Sequence, residues 1–79
     1  MTDISLHEDL WRNSMLPEGI LERWYVASGA DVASGQKVAE VRIESALHEI
    51  MAPAAGRITI LTESNGVVEP GSVVGRLAH

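Results

Sequence analysis

Gly29-Ala-Asp-Val-Ala-Ser-Gly-Gln-Lys-Val-Ala-Glu-Val41 aligns without a gap on Asn65-Gly-Val-Val-Glu-Pro-Gly-Ser-Val-Val-Gly-Arg-Leu77, at an offset of 36 residues. Val32 falls on Val68, Gly35 on Gly71, Val38 on Val74 and Val41 on Leu77. Gly29 falls on Asn65, and both residue types tolerate a positive φ. The match extends backwards, with Trp24 on Ile60 and Val26 on Thr62. Apolar positions and turn positions therefore repeat together, the mark of two similar halves related by a pseudo-twofold. Glu69-Pro70-Gly71 sets the fixed φ of proline before a glycine free to take positive φ, which predicts a type II turn. Ala33-Ser34-Gly35 occupies the same place in the first half.

Outward from the repeat, short runs rich in valine, isoleucine, threonine and alanine are broken by glycine and proline, so short strands are predicted rather than long helices. The runs fall near 19–26, 36–43, 46–51, 56–62 and 72–78. Residues 1–16 admit two readings. Ile4 and Leu6 alternate as an edge strand would, and this reading is preferred because a two-half barrel needs a first strand. Ser5-Leu6-His7-Glu8 also fits a capping box that opens a short helix through Leu10 and Trp11. Trp24 and Trp11 are expected in the core, and Tyr25 is expected to face outward from Trp24's strand.

With 79 residues the chain forms one domain, residues 17–79 making its core. There is no cysteine, hence no disulfide and no thiolate metal site or nucleophile. No basic start precedes an apolar run, and no apolar stretch approaches the roughly 20 residues that span a bilayer. A cytoplasmic location without membrane contact is the expectation. Six Lys+Arg against eleven Asp+Glu give a net charge of −5, which argues against a nucleic-acid partner. Only one of the six basic residues is a lysine, Lys37.

Further residues carry a family resemblance. Glu18-Gly19-Ile20-Leu21-Glu22-Arg23-Trp24-Tyr25-Val26, then Gly29, Val32, Gly35 and Ala39-Glu40-Val41, resemble the first half of a lipoyl domain. Ala52-Pro53-Ala54-Ala55-Gly56 resembles the segment after the lipoyl-lysine hairpin, and Val68-Glu69-Pro70-Gly71 the closing turn. Trp11 through Gly19, with Ser14-Met15 and Glu18-Gly19, looks like the start of some lipoyl domains, with one extra residue. The lipoyl/biotinyl carrier family implies an all-β flattened barrel, a sandwich of two antiparallel four-stranded sheets with pseudo-twofold symmetry. One hairpin displays a lysine that is acylated by lipoate or biotin.

Anchored on Val41 and Ala52-Pro53, the hairpin tip reads Ile43, Glu44, Ser45, Ala46. Glu44 stands for the lipoyl aspartate and Ala46 matches the family's alanine. Ser45 stands at the cofactor-attachment position, where the lysine is lost. Its hydroxyl has a short stem and no nucleophilicity at neutral pH without an activating base. Lys37 lies eight residues earlier, about 26 Å away along a strand. No cofactor is therefore expected.

In this register Val41 pairs with His48 and Ile43 with Ala46, so Val41, Ile43, Ala46, His48 and Ile50 share the inward face. His48 is read as a half-buried, hydrogen-bonded histidine, and no metal site is expected. Glu40, Arg42 and Glu49 on the hairpin's outer face form a candidate docking surface. No set of nucleophile, base and orienting acid is apparent, so an enzyme is not expected. The functional expectation is a non-catalytic lipoyl-like binding module. Its partner would be a protein, a component of a 2-oxo acid or acetoin dehydrogenase complex or a lipoate-handling enzyme. The alternative is a lipoyl- or biotin-type carrier of a dehydrogenase or carboxylase, modified at an unexpected residue.

Overall fold

A computed structural model describes residues 1–79. The repeat becomes two four-stranded antiparallel sheets. The strands are β1 (Thr2–Ser5), β2 (Gly19–Trp24), β3 (Asp31–Val32), β4 (Lys37–Ile43), β5 (Ala46–Met51), β6 (Gly56–Ile60), β7 (Val67–Val68) and β8 (Val73–Ala78). One sheet runs β1-β8-β6-β3, the other β5-β4-β2-β7. Each strand of one sheet has a counterpart in the other, β1 with β5, β8 with β4, β6 with β2 and β3 with β7. The all-β sandwich expected from the sequence is the fold observed.

Turn chemistry enforces the symmetry. Ser72 N–H donates to Glu69 C=O at 3.0 Å with Gly71 at φ 87°, and Gln36 N–H donates to Ala33 C=O at 3.1 Å with Gly35 at φ 82°. These are two copies of the predicted turn. The turns before β3 and β7 form a second pair. Ala30 bonds Ala27 with Gly29 at φ 95°, and Gly66 bonds Glu63 with Asn65 at φ 71°. The backbone thus takes the left-handed region where the sequence places glycine or asparagine.

The repeated apolar positions build the core between the sheets. Val32, Val38 and Val41 are buried, as are Val68, Val74 and Leu77. Leu21 and Ile58, each wholly buried, are counterparts through their bonds to the turn before β7 or β3. Full burial of side chains of this size contributes about 1.5–3 kcal/mol each in area terms. Before the β2 bulge between Leu21 and Arg23 the offset between halves is 37 residues, and after it 36.

That bulge explains a second glycine pair, Gly19 and Gly56. A Cβ on Gly19 would lie 3.0 Å from the carbonyl oxygen of Arg42, and one on Gly56 would lie 2.6 Å from that of Ala78. Arg42 and Ala78 are themselves 36 residues apart, so both glycines let a strand start against the same neighbouring backbone.

Several expectations are refined. The N-terminal segment holds both alternatives: β1 is a strand with Ile4 buried, and Glu8–Trp11 then forms one 3₁₀ turn. His7 caps that turn, Nδ1 accepting from Asp9 N–H at 3.1 Å, so the Ser5 capping box does not form. Trp11 is buried beneath Gly19. Trp24 is only part-buried, because its indole Nε1–H reaches the rim to donate to Thr62 C=O at 2.8 Å. The strands predicted over 19–26 and 56–62 end at Trp24 and Ile60, and the two-residue strands β3 and β7 lie inside stretches read as turns.

Candidate functional site

The hairpin β4–β5 is the longest ladder in the molecule. Its register pairs Val41 with His48 and Ile43 with Ala46, as the sequence predicts, and slips by one residue at a bulge between Lys37 and Ala39, which sets Lys37 opposite Met51. Only Glu44 and Ser45 lie between the paired ends, so Ser45 is displayed, exposed, in a two-residue turn. Glu44 takes φ 55°, a conformation uncommon for a residue with a Cβ. Its Oε2 accepts a hydrogen bond from Met15 N–H at 3.3 Å, tying the tip to the loop before β2.

On the inward face Val41, Ile43 and Ile50 are buried and His48 is half-buried. Ala46 departs from its expected place and is exposed, because it lies on the edge strand beside an open hollow, while its partner Ile43 is buried. Beside the tip lies an open hollow of about 460 Å³, bounded by Arg12, Asn13 and Ser14 on one side and by Ser45, Ala46 and His48 on the other. Sequence spacing does not join this loop to the site, since about thirty residues separate it from the tip. The Ser14-Met15 signature was the available signal.

Lys37 lies at the far end of β4, opposite Met51. Its ammonium is 2.9 Å from Glu49 Oε2 and 4.5 Å from the centre of the Tyr25 ring. The hydrogen bond to Glu49 raises the Lys37 pKa above its ordinary value. Desolvation opposes this in part, and the charges of Glu49, Tyr25 and Glu40 add to it. The one amine of this kind is thus remote from the tip and held protonated.

The three residues of the expected docking face each have an intramolecular counter-ion. Glu40 pairs with Arg23 at 3.6 Å, Arg42 with Glu22 at 3.1 Å and Glu49 with Lys37 at 2.9 Å. Arg12–Asp9, Arg57–Asp31 and Arg76–Asp3 complete the set, so every basic residue is matched to its own acid. Eleven acids less six paired leave five, Glu8, Glu18, Glu44, Glu63 and Glu69, which equals the formal charge of −5. Glu18 and Glu44 bound one small groove at the hairpin end, with Leu16, Ile20, Arg42 and Val67. Glu69 follows Val68, the partner of Gly19, and so flanks Glu18. Met15, Leu16, Leu47 and Val67 are exposed at the same end, Met15 at 91%. Unpaired negative charge and exposed apolar surface therefore meet around the tip.

No three histidine or acidic side chains converge as a metal site would require. No helix is long and apolar enough to cross a membrane.

Comparison with known proteins agrees with this geometry. No curated protein matches the chain. Nine chains of solved structures match it. One of them is the solution structure of the lipoyl domain of the 2-oxoglutarate dehydrogenase complex from Azotobacter vinelandii. It has a TM-score of 0.75 and 19% identity, with 96% of each chain covered. At that identity the likeness is one of fold. The biotin/lipoyl family model, described as "Biotin-requiring enzyme", matches residues 14–77. This chain, with its two symmetric sheets and displayed hairpin, belongs to the biotin/lipoyl family.

Proposed function

We propose that this chain is a non-catalytic lipoyl-like domain that carries no swinging arm and acts as a docking module. The supporting observation is the hairpin tip. Ser45 occupies the displayed turn, while the only lysine lies at the other end of β4, bound to Glu49. Lipoate and biotin are joined to this family through an amide to a lysine amine, and a serine hydroxyl offers neither the reach nor the nitrogen. Ser45 is accordingly the attachment position with its lysine lost.

The docking face takes in the tip, Ile43 to Ala46, and the outer face with Glu40, Arg42 and Glu49. On that outer face a partner meets a surface already neutralised by its own ion pairs. The charge available to a basic partner is that of Glu18 and Glu44, set among Met15, Leu16 and Val67. The partner class is a component of a 2-oxo acid or acetoin dehydrogenase complex, or an enzyme that handles lipoate. The A. vinelandii lipoyl domain, which shares this fold, belongs to a 2-oxoglutarate dehydrogenase complex.

The test is co-expression with lipoate and biotin ligases, followed by intact mass measurement. The unmodified mass is expected. A stoichiometric adduct would overturn the reading, and mapping it to Lys37 would support the carrier alternative instead.

A further inference from the structure

A sheet edge presents unpaired N–H and C=O groups, and proteins blunt such edges with short strands, bulges, lysine or proline. Three of the four edges here are blunted. β3 and β7 have two residues each, and β1 has four, with a bulge between Ile4 and Ser5. β5 is the exception. It runs six residues, Ala46 to Met51, with no proline, no lysine and no neighbour on its outer side.

The backbone direction along β5 follows from bonds on both sides. Leu21 exchanges hydrogen bonds with Gly66 and Asn65, pointing away from β4, and it stands opposite Val41. Val41 therefore turns its own backbone toward β5 and bonds His48. Ala52 continues the alternation, donating to Gln36 C=O at 2.8 Å and accepting from Gly35 N–H at 2.8 Å. The even-numbered residues of β5 thus bond inward, while Leu47, Glu49 and Met51 turn their N–H and C=O groups outward. The two apolar side chains among them, Leu47 and Met51, are 56% and 45% exposed.

We propose that the β5 edge pairs antiparallel with β5 of a second copy, joining two four-stranded sheets into one of eight strands. The edge is its own complement under a twofold, the commonest symmetry of protein dimers. Four registers that overlap by three residues or more keep the outward groups facing each other. Centring on Glu49 sets two like acids opposite, which is destabilising, and centring on Leu47 or Ile50 shortens the overlap. Centring on His48 avoids both. Leu47 then exchanges hydrogen bonds with Glu49 of the second copy, Met51 faces Ser45 of the second copy, and the two His48 residues form the central non-bonded pair. The one acid on the edge, Glu49, already has Lys37 as its counter-ion, so the seam itself is close to neutral. A pairing confined to one strand is small beside a standard interface, so the dimer forms weakly and reversibly. It stands whether or not Ser45 carries a cofactor.

Amide hydrogen exchange and sedimentation over a concentration series test this on the whole chain. The amides of Leu47, Glu49 and Met51 are expected to gain protection as concentration rises, while those of His48 and Ile50 stay constant. Sedimentation is expected to shift toward the dimer over the same range. Added salt strengthens the association, because it screens repulsion between two copies of charge −5. A Leu47→Glu variant, whose new side chain lies on the solvent face and sets a second acid opposite Glu49 of the second copy, keeps the circular dichroism spectrum and loses about tenfold or more in association constant. Alternate amides that exchange at the same rate at every concentration would overturn the proposal. So would association that Leu47→Glu leaves untouched, which would place the contact on another surface.

Discussion

Acylation at a hairpin tip asks two things of a side chain, an amine and enough stem to bring it clear of the turn. Ser45 has neither, but its surroundings keep the rest of the pattern, with an acid before it and an alanine after it. A Ser45→Lys variant co-expressed with a lipoate ligase is therefore expected to gain the mass of one lipoyl group while the wild-type chain does not. An unmodified variant would remove support from the assignment of Ser45 to the attachment position. Lys37 behaves differently for an electrostatic reason. The Glu49 hydrogen bond raises its pKa, so the ion pair is intact below lysine's ordinary value of about 10.4 and is lost as pH rises through the higher folded value. At mildly alkaline pH, acetic anhydride is expected to label Lys37 more slowly than a free lysine amine. Glu49→Gln is expected to restore the ordinary rate, as quantified by peptide mass spectrometry. The places of Ser45 in the turn and of Lys37 far from it were legible in sequence because the hairpin register near the tip follows from a period of two. The ion pairs were not, since Lys37 and Glu49 are brought together only across a ladder that begins with a bulge.

At the scale of the strand, Gly19 and Gly56 perform one task in the two halves, and its cost differs between them. An added methyl at Gly56 meets the Ala78 carbonyl oxygen at 2.6 Å, which only backbone movement relieves. At Gly19 the contacts are 3.0 Å to Arg42 O and 3.0 Å to Ile43 Cγ1, the second a side-chain atom. Gly56→Ala is expected to destabilise by about 2–3 kcal/mol and Gly19→Ala by about 1–2 kcal/mol, in line with overpacking costs. Urea denaturation of the two variants checks the order. The sequence marks both glycines but does not pair them, because one bulge residue in β2 moves the offset from 36 to 37. The strands β3 and β7 escaped for a similar reason. Two residues are too few to show alternation, and only the turns on either side define them.

For the whole molecule, the repeat carried the fold: apolar positions 36 residues apart became facing layers of a single core. Charge was legible only as a total. Its distribution, six pairs and five unmatched acids, depends on which strands lie side by side, and that information is tertiary. The symmetry also relates two ends of the molecule. β4 and β5 are joined through Glu44 and Ser45, and their counterparts β8 and β1 lie hydrogen-bonded with Thr2 opposite Leu77 but unjoined. A short glycine-rich linker from residue 79 to residue 1 supplies the missing connection, and the chain can then be opened between Glu44 and Ser45. Such a circular permutant keeps every strand neighbour and releases Glu44 from its left-handed backbone. It is expected to fold to the same two sheets, with a melting temperature within about 10 °C of the parent, a shift of one or two kcal/mol in a domain of this size.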